Sequence, residues 1–436
     1  MVDFFMGKSA YIHTFGCQMN VHDTEKMTGI LEEQGYSRAD SPSNADLVIF
    51  NTCSIRQKAE QKFYSELGRM KSLKEKKPWM KIAVAGCIAQ QEGKNILKRA
   101  PHVDFVFGTQ NIHTLKNIAS ASFERVAVHV NPDLATTELP VKRNDGIRAW
   151  TTIMYGCDNF CSYCVVPYTR GRERSRPSDT IYAEVSELAG RGYKEITLLG
   201  QNVNSYRSDT DFPGLLRKLD RLGGIARVRF VTSHPKDLSD DLIRAMSDLA
   251  SVCNHIHLPL QSGSDAVLKQ MNRRYSLSDY MKKISHLRKY IPGIAITTDI
   301  IAGFPGETDE DHQLTVSALK QIEYDGIFAF KYSPRPFTKA AEMDGHVQDL
   351  LKADRLNEIL MLQDAITFQK NEALVGTVQE ILIEGESETN SEKLTGRTGS
   401  NKIVTLPKAC SRKGAIIHVE ITKSRRHSLE GTPVIT

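Results

Sequence analysis

At 436 residues the chain exceeds ordinary single-domain size, so two or three domains with separate cores are expected. Hydrophobic residues at 40% and charged residues at 25% describe a globular protein, and no apolar run approaches the roughly 18 residues that cross a bilayer, which excludes a helical integral membrane protein. A formal net charge of +5, from 57 basic and 52 acidic residues, is too small to mark the whole chain as a nucleic-acid binder.

The start, "MVDFFMGKSAYIHTF", lacks the charged beginning, long apolar core and small-residue cleavage site of a secretory leader, so a cytoplasmic location is expected. Short β-rich runs then alternate with helical patterns. "AYIHTF" precedes a helix near 21–34, "ADLVIFNT" one near 57–72 and "KIAVAG" one near 90–100, before "FVFG". This alternation predicts a parallel sheet covered by helices, an α/β domain over 1–130. The stretch 131–146, "NPDLATTELPVKRNDG", is polar and turn-rich and predicts a linker. Over 147–372 a second αβ series follows, with strands at "AWTTIMYG", "EITLLG", "RVRFVTS", "HIHLPLQS", "IAITTDIIAG" and "GIFAFKYS" and a helix near 350–372. Six βα repeats are two short of a closed barrel, so an open, partial (βα)6 barrel is expected. From 373 to 436, Gly-broken strands predict a small antiparallel β-barrel. Its stretch from Lys393 to His427 carries nine Lys or Arg against one acidic residue, Glu420, which is either a solvated face or an RNA contact.

Eight cysteines in a reducing compartment do not make a disulfide framework, and six of them fall into two groups of three. Cys17 in "TFGCQMN", Cys53 in "FNTCSIR" and Cys87 in "VAGCIAQ" each directly follow a predicted strand. In a parallel sheet all strand C-termini share one edge, so three thiols distant in sequence can converge there on a metal or cluster. Buried core cysteines are the plain alternative. Cys157, Cys161 and Cys164 in "GCDNFCSYC" have the spacing CxxxCxxC at the end of the first barrel strand. Structural zinc takes four protein ligands, commonly from two separated CxxC pairs. A 4Fe-4S cluster held by three thiolates instead leaves one iron without a protein ligand. That iron can be chelated by a small molecule offering an amine and a carboxylate, as S-adenosylmethionine does. A zinc knuckle or an electron-carrying cluster is the alternative. Cys253 and Cys410 have no partners at ligand spacing and are expected as buried or half-buried thiols.

CxxxCxxC with an aromatic, Tyr163, before the last cysteine resembles the signature of radical S-adenosylmethionine (SAM) enzymes. The resemblance implies that the reduced cluster cleaves the bound sulfonium to methionine and a 5′-deoxyadenosyl radical, which abstracts hydrogen from unactivated carbon. It also implies that Gly200 and Gln201 in "LLGQNVNSY" hold the cofactor's amino group. Gly303, Gly306 and Glu307 in "TTDIIAGFPGET" resemble a glycine-rich segment near the adenine, although such loops are often plain turns. Gln261 and Ser262 in "HLPLQSGS" add polar groups at the same mouth. In "PYTRGRERSRP", Arg170, Arg172, Arg174 and Arg176 alternate; if extended they share one side and hold the cofactor carboxylate, with Arg174 a candidate, or RNA phosphate, and otherwise they form a solvated loop.

A three-cysteine site upstream of the radical motif and a C-terminal β-barrel together resemble the methylthiotransferases over essentially the whole chain, with the small barrel as a TRAM RNA-binding domain. "TFGCQMNVHD", "NTCSIRQKAE", "GCDNFCSYCVVPYTRGRERSRP" and "LLGQNVNSY" look most like the MiaB-type group. That resemblance implies two 4Fe-4S clusters, an auxiliary one on Cys17, Cys53 and Cys87 and the radical one on Cys157, Cys161 and Cys164, with SAM as cofactor. The implied reaction is methylthiolation of carbon 2 of the isopentenylated adenosine next to the anticodon in tRNA. Implied partners are the tRNA anticodon stem-loop, an electron donor of flavodoxin or ferredoxin type and a sulfur donor, with no membrane and a monomeric protein. Threonylcarbamoyl adenosine in tRNA, a ribosomal-protein aspartate, and a non-catalytic iron-sulfur RNA-binding sensor are the alternatives.

Overall fold

The computed structural model describes residues 8–54, 57–118, 124–143 and 145–434. Residues 1–7 of the leader reading, Ile55 and Arg56 of "NTCSIRQKAE" and Asn144 of the linker lie outside the described residues. Contacts group the chain into two units: residues up to 144 with 154–158 and 164–177, and residues 145–153 and 159–163 with everything from 178.

In the first unit, β1 (Ser9–Thr14), β2 (Ser37–Arg38), β3 (Leu47–Thr52), β4 (Lys81–Gly86), β5 (Phe105–Phe107) and β6 (Val126–Ala127) form one parallel sheet in the order β2-β1-β3-β4-β5-β6. All of β3 is buried, as a strand covered on both faces requires. Its alternation divides the core. Val48 and Phe50 pack with Phe63 and Leu67 of α2 (Gln57–Lys76), whereas Leu47 and Ile49 pack with Met27, Ile30 and Leu31 of α1 (Gln18–Glu33). The single helix expected near 90–100 is two, α3 (Cys87–Glu92) and α4 (Lys94–Arg99), broken at Gly93, whose φ is 49°. The stretch expected as a linker lies along α1: Lys142 N donates to Glu25 O at 3.0 Å, and Gly29 faces the Pro140 carbonyl so closely that a side chain would not fit.

The strand expected at "AWTTIMYG" is divided. β7 (Arg148–Thr152) belongs to the second unit; β8 (Met154–Tyr155) pairs antiparallel with β9 (Arg174–Ser175), beyond the short α5 (Val166–Thr169), in the first.

In the second unit β7 lies beside β10 (Glu195–Leu199) and β11 (Arg227–Phe230), and β12 (His255–His257) beside β13 (Ala295–Ala302) and β14 (Gly326–Lys331), as two parallel three-stranded sheets. A bridge between Val228 and Val252, with Cys253 N donating to Val228 O at 3.0 Å, joins them in sequence order as a partial barrel. The crossovers include α6 (Ser178–Gly190), α7 (Phe212–Asp220), α8 (Asp240–Asp248), α9 (Asp265–Gln270), α10 (Leu277–Tyr290) and α11 (Asp309–Ile322). Ser239, Ser264, Ser276 and Thr308 cap the last four, and the Ser276/Asp279 and Thr308/Asp311 pairs close capping boxes. α12 (Asp349–Glu372) leads to a closed barrel of β15 (Val378–Ser387), β16 (Asn390–Thr398), β17 (Ile403–Pro407), β18 (Ile416–Ser424) and β19 (Leu429–Pro433), cored by Ile381, Ile383, Val404, Val419 and Leu429.

Two buried arginines of β11 hold this barrel by its backbone. Arg227 donates to Arg397 O at 2.6 Å and Glu380 O at 3.0 Å; Arg229 donates to Thr398 O at 2.7 Å, Gly399 O at 2.9 Å and the buried Glu195 carboxylate at 2.8 Å. Replacing Arg229 with Ala leaves Glu195 buried without its cation. The expected cost is about 3–5 kcal/mol in denaturant unfolding, against about 1 kcal/mol for Arg191→Ala, which removes the exposed pair with Glu187 and a contact 5.8 Å over the Tyr193 ring.

Candidate active site

β1, β3 and β4 end in register, Thr14 opposite Asn51 and Asn51 opposite Ala85, and each is followed within three residues by a cysteine. Gly16, at φ 111°, turns the chain so that Cys17 caps α1; a Cβ there would lie 2.7 Å from the Cys53 sulfur. Gly86, at φ 88°, turns β4 into α3, whose first residue is Cys87. The buried Asn20 ties the ends of β1 and β3 together. Its Nδ2 donates to Thr52 O at 2.8 Å, beside Cys53, and its Oδ1 accepts from the Cys17 thiol at 3.3 Å. Thr52 Oγ1 joins β4 to them by donating to Ala85 O at 2.5 Å and accepting from Ile88 N at 3.2 Å. The Cys87 thiol feels the charge of both Cys17 and a guanidinium, that of Arg170. Among the described residues no three His, Cys, Asp or Glu side chains gather closely enough for a single metal ion. Three cysteines at neighbouring strand ends are by their chemistry the donor set an iron-sulfur cube takes, one thiolate to each of three irons.

Burial pushes the Cys87 thiol up, and Arg170 opposes it. Burial also works against the Arg170 charge, but Asp23 and the Cys87 and Cys17 sulfurs outweigh it, so the guanidinium stays firmly protonated. Beside them His22 pairs with Glu25 at 2.9 Å; burial, with Lys26, Arg143 and Arg176, holds its imidazole neutral.

The four alternating arginines do not share one side. Arg170 is buried; Arg172 forks onto Asp158 at 2.7 and 3.2 Å at the surface; Arg174 donates to Asn131 O and, at 3.5 Å, to Gln110; Arg176 acts electrostatically on His22. The reason is local: Arg170 closes α5 and Gly171, at φ 82°, breaks any extended run.

In the CxxxCxxC loop, Cys157 and Cys164 lie in segments of the first unit and Cys161 in one of the second. Cys157 N donates to Gly171 O at 3.2 Å. In the second unit the loop is clamped by the residues after α9: Ser162 N donates to Met271 O at 3.0 Å, and Asn272 Nδ2 to the carbonyls of Asn159 and Phe160 at 3.2 and 3.0 Å. Arg273, fully buried, reaches the Cys161 sulfur at 3.4 Å and the Tyr163 hydroxyl at 3.3 Å while donating to Pro259 O at 2.8 Å and Tyr275 at 2.9 Å. Nothing in "MNRRYS" distinguishes this arginine from the exposed Arg274 beside it, so sequence reasoning missed it, as it missed Asn20 and Asp23.

The remaining expected residues sit at strand ends of the second unit. Gly200 and Gln201 follow β10. Gln261, at φ 74°, bridges to Ile300, its N donating to Asp299 O at 2.8 Å, and the Ser262 hydroxyl meets Thr315 at 3.3 Å. Gly303 and Gly306 both have positive φ, 74° and 80°; Glu307 accepts from Gly303 N at 2.9 Å and Arg355 at 2.8 Å, so its carboxylate braces that turn from within. Of the two unassigned cysteines, Cys253 is buried, its thiol pushed up to about 11 by burial against the pull of Arg229, whereas Cys410, expected as buried or half-buried, is exposed just beyond β17 where the barrel has no core to cover it.

Residues 9–108 match the uncharacterized protein family UPF0004, residues 151–319 the radical SAM superfamily and residues 372–434 the TRAM domain. The chain is 54% identical to the tRNA-2-methylthio-N(6)-dimethylallyladenosine synthase of Thermodesulfovibrio yellowstonii, over 99% of this chain and 100% of that one. It is 48% identical to the synthase of the same name from Syntrophus aciditrophicus, over 97% and 94% of the two chains. Among solved structures it resembles the radical SAM methyltransferase TsrM from Kitasatospora setae, with a TM-score of 0.58 at 14% identity, covering 85% of this chain and 78% of that one, a likeness of fold.

Gly16→Ala forces a methyl group into Cys53 and the positive φ into strain. After anaerobic reconstitution with iron and sulfide, the variant is expected to bind roughly half the iron of the parent protein, one cluster of two, as measured by iron and sulfide analysis.

Proposed function

From the premise that the chain belongs to the family of tRNA-2-methylthio-N(6)-dimethylallyladenosine synthases, radical SAM methylthiotransferases, we infer which of its residues serve each part of that reaction. The protein is an enzyme that converts carbon 2 of the isopentenylated adenosine from C–H to C–SCH3. Two 4Fe-4S clusters and SAM, when bound, supply hydrogen abstraction from unactivated carbon and delivery of sulfur and methyl.

The observation that carries the residue assignment is the meeting of three strand-end thiols at one sheet edge, in a chain that also has CxxxCxxC at the end of its first barrel strand. Cys17, Cys53 and Cys87 hold the auxiliary cluster; Cys157, Cys161 and Cys164 hold the radical cluster, leaving one iron for the SAM amine and carboxylate. Arg273 fixes the loop by gripping Cys161 and Tyr163. Gly200, Gln201, Gln261 and Ser262 offer backbone and polar groups to the cofactor at the strand ends. Glu307 shapes the Gly303–Gly306 turn toward it, and Arg174 anchors the arm after the cluster loop.

The dimethylallyl group needs an apolar rest. Phe328 and Phe330, 51% and 38% exposed, lie on the face of β14 that pairs with Asp299 and Ile301 of β13, and Ile301 packs on the same apolar cluster as Tyr163 of the radical loop. We assign the dimethylallyl contact to these two rings. Exposed cations of the C-terminal barrel, Arg412 and Lys423 among them, suit RNA phosphate. A cytoplasmic monomer served by a flavodoxin- or ferredoxin-type electron donor and a separate sulfur donor completes the proposal.

Isopentenylated, methylthio-free tRNA incubated anaerobically with reconstituted protein, reductant, sulfide and SAM is expected to gain one methylthio group on the modified adenosine by nucleoside mass spectrometry. Gain on threonylcarbamoyl tRNA instead would overturn the substrate. Phe330→Ala should lower kcat/KM for isopentenylated tRNA roughly ten-fold while leaving SAM cleavage without tRNA unaltered; an unchanged ratio between isopentenylated and unmodified tRNA would remove the rings from recognition.

A further inference from the structure

We propose that Arg170 is a positioning residue for the auxiliary cluster, its guanidinium standing against the ligand sulfurs so as to favour uptake of an electron there, with Asp23 as a built-in counterweight of opposite sign. The inference rests on the assignment of Cys17, Cys53 and Cys87 to a 4Fe-4S cluster.

The geometry of the first unit carries it. The Arg170 and Asp23 side chains are only 6% and 4% exposed, and Nη2 of the arginine lies 2.9 Å from Asp23 Oδ2 and 3.4 Å from Asn20 Oδ1, the oxygen that also receives the Cys17 thiol. The guanidinium also acts electrostatically on the Cys87 and Cys17 sulfurs. It therefore touches the surroundings of two of the three proposed ligands. The arm that brings it there is pinned: Arg170 N donates to Val166 O at 2.8 Å, Gln110 Nε2 donates to Arg170 O at 3.3 Å, and Thr109 Oγ1 donates to Thr169 O at 2.6 Å. Water has little access, so the charges are poorly screened.

Hydrogen bonds to ligand sulfur and nearby positive charge stabilise the form of a cluster that carries one more electron, and so raise its potential. A nearby carboxylate does the reverse. A purely structural ion pair that only fastened the arm would give no signed effect of this kind. That difference is the basis of the test.

The full-length protein with Cys157, Cys161 and Cys164 replaced by Ala is reconstituted with iron and sulfide, so that only the auxiliary site can load. It is then titrated with dithionite under electron paramagnetic resonance, one electron entering each cluster. With Arg170→Gln the midpoint should move to more negative potential and with Asp23→Asn to more positive potential, while Arg170→Lys stays between Arg170→Gln and the parent. Unmoved midpoints, or shifts of the same sign in Arg170→Gln and Asp23→Asn, would overturn the proposal. If Arg170→Gln fails to load iron, the positive shift in Asp23→Asn and the intermediate value of Arg170→Lys remain required. A triple-alanine parent that binds no cluster would overturn the cluster assignment itself, and the inference with it.

Discussion

Parallel strands that stop at one edge are the constraint on which the proposed chemistry of the first unit depends. β1, β3 and β4 run in register, so residues more than thirty positions apart in sequence reach the same edge together. The sheet supplies position, but the approach is too close for ordinary side chains at the turns. Gly16 and Gly86 make it possible, one by giving way to Cys53 and the other by lying against Thr52 and Asn51. Asn20 then satisfies the carbonyl and amide groups that such a dense edge would otherwise leave unpaired.

A second theme is the buried cation beside sulfur. Arg170 in the first unit and Arg273 in the second each bring a guanidinium to a cysteine proposed as a ligand. Their charges are offset differently. Arg170 has a buried carboxylate, Asp23, whereas Arg273 relies on a backbone carbonyl and two tyrosine hydroxyls. Guanidinium suits both places because its fixed fork serves several acceptors and its charge survives burial.

Charge in the C-terminal barrel is likewise divided between inward and outward tasks. Arg397 pairs with Glu384 at 2.9 Å and Lys402 faces Asp325 at 3.4 Å, so part of the basic run noticed in the sequence is internal wiring of the second unit. Lys393, Lys408, Lys413, Arg425 and Arg426 also pair with carboxylates, which leaves Arg412 and Lys423 as the exposed cations of the run with no ion pair among the described residues.

The sequence by itself determined the three-part α/β, partial-barrel and β-barrel order, because hydrophobic periodicity and turn residues act over a few neighbours at a time. It also carried the six cysteines proposed as ligands: strand ends mark the first three and fixed spacing the other three. It could not divide "AWTTIMYG" into β7 and β8, break the helix at Gly93, or separate the four alternating arginines. Those outcomes depend on which partner a strand or a charge finds across the fold. Tertiary structure alone decided that Arg170, Asp23, Asn20 and Arg273 are buried at the sulfur sites, since a polar residue's role inside a protein is set by neighbours remote in sequence, and those leave no local pattern.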